Sequence, residues 1–241
     1  MGRSVGEADT FEFQVVSPAL GIAHPTGYPL YILLGKLFSL LPFGSMAWRV
    51  NLTSVVFTTG AIVLFHRLLL KLTQAPLISM LASLALAFCR PLWSQGIVAE
   101  VYGLNLLFVA GILSLTFSLL TGPTPAWSGE RRKVWGLAFL LGLSLTNHLT
   151  MILLLPALGL ALLLKRPQMS RQDWMLCPLL FLLGLSVYTY IPLRWPPLHD
   201  GQTMGLGEFL AYVTGQQFAG ALQPALLRDP TRYAIVGRLL V

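Results

Sequence analysis

The sequence predicts an all-α membrane protein, a bundle of helices that cross the bilayer several times. Of its 241 residues, 55% are hydrophobic and only 10% are charged, whereas soluble domains are about one quarter charged. The mean hydropathy is +0.72. Long apolar runs recur along the chain, and short stretches rich in proline, glycine and basic residues separate them. This pattern is typical of polytopic membrane proteins and excludes an ordinary soluble domain.

The basic residues are predicted to orient the chain in the membrane and not to bind nucleic acid. The net charge is +7, but the 16 lysines and arginines are spread between apolar blocks, without the clustering typical of a nucleic-acid motif. Cys89 and Cys177 lie in apolar runs without metal-ligand spacing, so neither a disulfide nor a zinc site is predicted. Residues 1–8 are polar, and no secretory signal is predicted in them.

Residues 1–46 are predicted to form an extracytoplasmic unit, made of an acidic loop and an interfacial or re-entrant helix. Asp9 and Glu12 lie three positions apart in the acidic run, so a helical turn would put both on one side. Between His24 and Pro29, two prolines and a glycine predict a rigid turn. The apolar run 28–41 is interrupted by Lys36 and is shorter than the roughly 20 residues of a spanning helix.

Residues 47–194 are predicted to form the transmembrane bundle. Crossings are predicted at 47–70, at 76–88, from the mouth at Glu100 and Tyr102 to residue 120, and at 174–193. The apolar block 134–164 would be about 48 Å long as one helix, more than the bilayer core requires. It is therefore split into two short arms with a break near Asn147 and His148. Residues 195–241 are predicted to form a second extracytoplasmic segment.

The basic clusters predict which ends of the crossings face the cytoplasm. Residues 121–133 read as a turn-rich loop that ends in two arginines and a lysine, and residues 165–171 are also basic, so both are predicted to be cytoplasmic. Alternating crossings then gather the polar candidates on the other side of the membrane, where a site is predicted. These candidates are Asp9, Glu12, His24, Arg90, Glu100, Arg194, His199 and Asp200, with Asn147 and His148 facing them.

The candidates near the N-terminus have both a chemical and a structural interpretation. Asp9 could accept a proton from a substrate hydroxyl, with Glu12 tuning it, or both could belong to a solvated tail. His24 could be a catalyst, or a structural hydrogen-bond donor within the turn. No phosphate loop, HExxH, GxSxG or internal repeat is present, so the common soluble-enzyme and inverted-repeat transporter signatures are missing.

The later candidates have the same two kinds of interpretation. Arg90 and Arg194 could clamp a phosphate, or anchor helix ends at the interface. Glu100 should line a cavity or pair with a cation such as Arg90, because a carboxylate facing lipid is costly. Asn147 and His148 could bind a substrate, or join helices by hydrogen bonds.

Several motifs resemble those of one family of membrane proteins. The strings ADTFEF, LGIAHPTGYPLYILLGKLF, WSQGIVAEVYGLN and GLSLTNHLT resemble a polytopic family of formerly unknown function, which is similar to the vertebrate transmembrane protein O-mannosyltransferases of the GT-C class. The resemblance covers about residues 9–218. It implies a membrane glycosyltransferase that moves a sugar, such as mannose, from a polyprenyl-phosphate donor to a protein or glycan hydroxyl at the extracytoplasmic face.

The resemblance also implies roles for individual residues. Asp9 takes the place of the acidic residue of the first external loop, a base or acceptor-orienting group, and Glu12 is its companion. The other motif residues are implied to bind substrate. They are His24 and Tyr28 of HPTGYP, Glu100 and Tyr102 of EVY, and Asn147 and His148 of the NH pair.

The comparison with the GT-C class further predicts that the chain is a fragment. Proteins of that class have a membrane helix before the acidic loop and are considerably longer. Predicted partners are membrane lipid, the polyprenyl-phosphate sugar and an acceptor, in a bacterial inner membrane. No metal-ligand set is assigned, and a divalent cofactor is left open. The alternatives are a transporter, a lipid-binding protein or a non-catalytic assembly subunit.

Overall fold

The structure, a computed structural model, describes residue 6 and residues 8–122 and 127–217. Within them the chain is helical, which confirms the all-α prediction. The α-helices are α1 (Ala8–Ala19), α2 (Pro29–Ser39), α3 (Met46–Thr73), α4 (Pro76–Phe88), α5 (Arg90–Gly96), α6 (Tyr102–Thr121), α7 (Trp127–Leu145), α8 (Leu155–Lys165), α9 (Arg171–Leu185), α10 (Tyr190–Leu198) and α11 (Leu206–Val213).

Three described segments are long and apolar enough to cross a membrane. They are α3, α6 and the run Arg171–Leu198, in which a short 3₁₀ turn joins α9 to α10. A fourth crossing results if α4 and α5 count as one span, which bends by 63° at Cys89. These helices lie where the apolar runs predicted them. The protein is therefore an integral membrane protein that crosses the bilayer more than once.

Helix boundaries follow local signals in the sequence. The Ser45 side chain caps α3 by accepting a hydrogen bond from the Trp48 amide at 3.2 Å, and Pro76 occupies the first turn of α4, where a missing N–H costs nothing. Ser170 and Asp173 form a reciprocal capping box at the start of α9. These signals start each helix where the preceding polar stretch ends.

Two segments predicted as loops are helices. The acidic run belongs to α1, whose Phe13, Gln14 and Ser17 side chains are buried against α2 and α3. The basic cluster 131–133 lies within α7, because the Glu130 carboxylate in its first turn is buried and pairs with Lys165 at 3.2 Å. In both places tertiary contacts stabilise a polar stretch that reads as a solvated loop.

The predicted break in the block 134–164 is confirmed. Helix α7 ends at Leu145, and a 3₁₀ helix over Leu149–Leu154 leads into α8. At the other end of the chain, α10 extends to Leu198 and α11 follows at Leu206. The rest of the predicted second extracytoplasmic segment, residues 218–241, lies outside the described part of the chain.

Close packing holds the spanning helices together. A Cβ atom on Gly103 of α6 would lie 2.3 Å from the Thr58 hydroxyl oxygen of α3, and one on Gly142 of α7 would lie 2.1 Å from the Phe181 carbonyl oxygen of α9. Glycine at both points therefore lets the helices approach closely, as is common between helices in membranes. The two resulting pairs, α3 with α6 and α7 with α9, make the most extensive contacts between described helices.

Candidate active site

A histidine and a glutamate form the most tightly built contact of the candidate site. The Glu12 carboxylate on α1 accepts a hydrogen bond from the His24 backbone N–H at 2.7 Å, and its second oxygen lies 2.5 Å from His24 Nδ1. A carboxylate at that position keeps the ring proton on Nδ1 and leaves Nε2 for another partner. Sequence reasoning singled out both residues but did not predict that they pair.

The turn that carries His24 is held by three side chains from helices α10 and α11. Three backbone carbonyls before His24 accept side-chain hydrogen bonds, from Arg194 Nε to Leu20 at 2.8 Å, from the Tyr190 hydroxyl to Gly21 at 2.8 Å and from the Tyr212 hydroxyl to Ala23. Burial and then the Glu12 carboxylate raise the pKa of Tyr212 to about 12. The turn is therefore fixed by α10 and α11, which lie far away in sequence.

Gly27 shows why the turn needs a glycine. Its φ is +84°, and a Cβ atom there would lie 2.6 Å from Ile191 Cδ1. The next residue, Tyr28, is also left-handed, with φ of 44°, and precedes Pro29 at the start of α2. Non-glycine residues rarely adopt this conformation, and a bulky residue held in it is a feature of tight turns and of some functional sites.

Glu100 meets the N-terminal turn of α1 at the same place. Its carboxylate accepts a hydrogen bond from the Thr10 hydroxyl at 3.2 Å, and its backbone N–H donates to Ser54 Oγ of α3 at 3.0 Å. Burial, and then the nearby Asp9 carboxylate, raise the pKa of Glu100 to about 7. The predicted proximity of Asp9 and Glu100 is thus confirmed, and Glu100 is a carboxyl group that exchanges its proton near neutral pH.

Aromatic rings form one wall of the site. The Tyr28 ring centroid lies 5.2 Å from that of His24 and 6.1 Å from that of His148, which in turn lies 5.8 Å from Tyr102. Burial raises the pKa of Tyr28 and lowers the pKa of His148. Both side chains are therefore neutral at neutral pH, and they offer a polar aromatic surface without a charge.

Asn147 serves as a link between helices, which agrees with its structural interpretation. It is fully buried, and its Nδ2 donates a hydrogen bond to the Val101 carbonyl at 3.2 Å. Its Oδ1 is buried without a hydrogen-bond partner among the described residues. The break after α7 is thereby fixed to the start of α6, and the neighbouring His148 is placed beside Tyr102.

The two candidate arginines differ in their positions. Arg194 contacts the His24 turn and uses one of its five N–H donors on Leu20. Arg90 is exposed at the first residue of α5. Within the described part of the chain no hydrogen bond or ion pair joins Arg90 to Glu100, whose carboxylate instead accepts from Thr10. The structure thus brings Arg194, and not Arg90, into contact with the site.

Several residues of the site were missed by sequence reasoning. Asn51 Oδ1 on α3 accepts hydrogen bonds from Gln14 Nε2 at 2.8 Å and from the Ala99 N–H at 3.0 Å. It thereby joins α1, α3 and the segment that precedes Glu100. Asn51 and Ser54 are polar residues within a spanning helix, and such residues face the protein interior, so their spacing was an available signal.

Three of the side chains could hold a metal ion. One ligand atom each from Asp9, Glu12 and His24 lie within 4.8 Å of one another. Asp9 is exposed, and about a third of each of the Glu12 and His24 side chains is exposed. The described part of this end of the bundle therefore combines two carboxylates, an imidazole and a half-buried third carboxylate.

Comparisons with known proteins place the chain in a family. A family profile described as "Protein O-mannosyl-transferase TMEM260 N-terminal domain" matches residues 9–171. The chain is 36% identical over 196 residues to the Mus musculus "Protein O-mannosyl-transferase TMEM260", which covers 79% of this chain and 27% of that protein. It is 29% identical over 162 residues to "Protein O-mannosyl-transferase tmem260" of Dictyostelium discoideum, covering 63% and 20%.

The chain therefore spans about a quarter of the mouse relative and a fifth of the Dictyostelium relative. No solved structure matches it significantly. The matched region contains the sequence-predicted candidates from Asp9 to His148, whereas Arg194, His199 and Asp200 lie beyond it. Because the profile covers more than half of the sequence, this chain belongs to the family of the protein O-mannosyl-transferase TMEM260 N-terminal domain.

Proposed function

We propose that this chain carries the reaction site of a membrane glycosyltransferase, which transfers a sugar, with mannose the first candidate, from a polyprenyl-phosphate donor to a protein hydroxyl. The observation that carries the proposal is the convergence of Asp9, Glu100 and the Glu12–His24 pair at one end of the bundle. The names of the relatives support the sugar and the type of acceptor.

An apolar cavity beside the site supports a lipid-linked donor. Its volume is about 370 Å³, and the side chains that line it include Leu145, Leu149, Leu182, Leu185, Tyr188 and Phe209. Tyr188 packs in one apolar cluster with Ile22, which lies just before the HPTGYP turn, and with Tyr212, whose hydroxyl binds that turn. A polyprenyl chain in this cavity would bring its phosphate toward the His24 turn, because the cavity and the turn share this cluster.

The proposed reaction is a single displacement with inversion at the anomeric carbon. Asp9 accepts the proton of the acceptor hydroxyl, and the hydroxyl oxygen forms a bond to the anomeric carbon. The bond between that carbon and the donor phosphate breaks, and the phosphate leaves with the electron pair. Arg194 lies near enough to the turn to offset the charge of the leaving phosphate, and Arg90 stays a second predicted partner.

Replacing Asp9 by Asn tests the proposal. The substitution is made in this chain and at the equivalent position of the full-length mouse relative, and transfer of labelled mannose from polyprenyl phosphate to protein is measured in membranes. A proton acceptor contributes about 10² to 10⁴ in rate, so we expect transfer to fall at least about a hundredfold. Asp200→Asn is the matched control, because Asp200, although a sequence-predicted candidate, is exposed and is not part of the Asp9, Glu12 and His24 group. Undiminished transfer by Asp9→Asn removes Asp9 from this role.

The apolar cavity also favours a second function, lipid binding or transport without chemistry. That function uses the cavity and leaves Asp9 without a role. Binding of a polyprenyl phosphate that persists in a preparation with no transfer, in both the wild type and the Asp9→Asn variant, would support it. A transferase binds the donor and transfers its sugar, a binding or transport protein binds the donor without transfer, and an assembly subunit binds no donor. Measuring donor binding and sugar transfer together therefore separates the three functions.

We place the site at the extracytoplasmic face, on the basis of the basic residues at the opposite end of the bundle. Glu130 pairs there with Lys165, and Arg131 with Asp173. A bacterial inner membrane stays a prediction from the sequence, and the two relatives named above, from mouse and Dictyostelium, do not bear on it.

A further inference from the structure

We propose that Asp9, Glu12 and His24 form a binding site for a divalent transition-metal ion of the Mn²⁺ type. One oxygen from each carboxylate and one imidazole nitrogen already lie within 4.8 Å of one another. Two carboxylates with one imidazole suit Mn²⁺ better than a hard ion such as Ca²⁺, whose ligands are all oxygens. The inference concerns a binding site and stands on this geometry without the transferase chemistry.

The fold holds two of the three ligands in place. The His24 N–H fixes one Glu12 oxygen at 2.7 Å, while the second oxygen faces Nδ1 at 2.5 Å. The His24 ring is packed against Phe13 and Tyr28, with centroid distances of 6.3 and 5.2 Å. A metal ion that replaces the proton between Nδ1 and Glu12 bonds each atom at about 2.1 Å, so the two atoms must move apart by about half an ångström. The backbone contact and the ring packing restrict both side chains, and this limits the conformational entropy lost on binding.

The local charge also favours a cation. Asp9, Glu12 and Glu100 bring three carboxyl groups together, and Asp9 acts electrostatically on Glu100. Among the described residues, no lysine or arginine forms an ion pair with any of the three. The ion pairs that do involve lysine and arginine, from Lys165 and Arg131, lie at the opposite end of the bundle. A bound divalent ion would offset this excess of negative charge.

The site is open enough to be loaded and to bind a further ligand. Asp9 is exposed, and the side chains of His24 and Glu12 are 31% and 32% exposed. Three protein ligands leave positions on the ion for water or for phosphate oxygens. Asp9 can bind through one carboxylate oxygen while the other faces an acceptor hydroxyl. This last use of the ion, and only this, rests on the proposed transferase function.

The test is Mn²⁺ binding to the purified chain in detergent, followed by electron paramagnetic resonance. We expect one saturable site per chain, with the nitrogen coupling of one imidazole in the pulsed spectrum. Asp9→Asn, Glu12→Gln and His24→Ala should each weaken binding at least about tenfold, and His24→Ala should also abolish the nitrogen coupling. Asp200 was a sequence-predicted candidate, but it is exposed and is not among the three clustered ligands, so Asp200→Asn should bind as the wild type does.

Two results would overturn the site: no saturable Mn²⁺ binding by the wild type, or equal binding by the wild type and Asp9→Asn. Asp9 is exposed, so we expect this variant to keep the fold, and its elution profile and Tm check this. Failure of the metal site and failure of the transferase are separable. A chain that binds Mn²⁺ but transfers no sugar contradicts only the latter, and an active chain that binds no Mn²⁺ contradicts only the former.

Discussion

Glu100 is the side chain whose chemistry depends most on its surroundings. Its pKa rises from 4.5 to about 7 because the carboxyl group is half-buried and Asp9 lies nearby, against the opposing hydrogen bond from Thr10. The folded protein therefore holds the proton more tightly than the unfolded chain does. As the pH rises from 4.5 through 7, the folded state must give up a proton that the unfolded state has already lost, so the free energy of unfolding falls over that range.

Replacing Glu100 by Gln should make stability independent of this proton. The variant should match the wild type at pH 5 and be more stable at pH 8, by about 1–2 kcal/mol. Each unit of pKa change corresponds to about 1.4 kcal/mol of stability. The expected gain is smaller than the full shift would give, because the carboxyl group is partly exposed to solvent. The measurement is Tm of the purified protein at both pH values, with EDTA present. A difference of equal size at pH 5 and pH 8 would contradict the assigned cause.

Residue types and their order along the chain predicted part of the site. Alternating crossings predicted that Asp9, Glu100 and His148 share one end of the bundle, and the structure places all three there. The exact pairs were not predictable, because they depend on the rotation of each helix about its axis. Arg90 illustrates this: it follows α4 at the correct end, yet the 63° bend between α4 and α5 leaves it exposed, without a contact to Glu100.

At the scale of single elements, α1 was the least predictable. Residues 8–19 contain two carboxylates and no long apolar run, so they read as a loop. The helix forms because its Phe13, Gln14 and Ser17 side chains are buried by α2 and α3, and tertiary contacts of this kind override a weak local propensity. The longer apolar helices were predictable because the bilayer sets their length.

The contact between α7 and α9 leads to a prediction that compares two glycines. A Cβ atom on Gly184 of α9 would lie 2.5 Å from the Leu143 nitrogen and 2.5 Å from the Phe139 oxygen of α7, and both are backbone atoms. Gly184→Ala must therefore push the helices apart, and overpacking of this kind costs about 1–3 kcal/mol. We expect a lower Tm and a broader elution profile in detergent.

Gly159 of α8 is the matched control, because a Cβ atom there would meet no other atom within 4 Å. Gly159→Ala should raise stability by up to about 1 kcal/mol, since alanine is the better helix former and reduces the freedom of the unfolded chain. The same substitution on two helices thus has opposite expected signs. Equal losses of Tm would mean that α7 and α9 are not packed at Gly184 as described.

For the whole molecule, the two ends of the bundle differ in their charges. One end carries Asp9, Glu12 and Glu100, and the other carries the pairs Glu130–Lys165 and Arg131–Asp173. The run Arg171–Leu198 connects the two ends, and at 28 residues it is about 42 Å long, enough to cross the bilayer core. The basic end was predicted to be cytoplasmic from sequence. The orientation that follows can be measured directly.

Cysteine labelling tests whether the ends face opposite sides of the membrane. In a background with Cys89 and Cys177 replaced by Ser, single cysteines are placed at Asp200 and at Arg166, which are exposed on either side of the run Arg171–Leu198. In intact cells, a thiol reagent that cannot cross membranes should reach one position only. If the site is extracytoplasmic and the chain resides at the cell surface or in a bacterial inner membrane, that position is Asp200→Cys. For a chain in an internal membrane, the same asymmetry is expected in sealed vesicles, where Arg166→Cys is labelled from the cytoplasmic side.

Labelling of both positions from one side, with the membranes shown to be sealed, would mean that the run Arg171–Leu198 does not cross the membrane. The prediction that alternating crossings gather the acidic side chains on one face would then lose its basis.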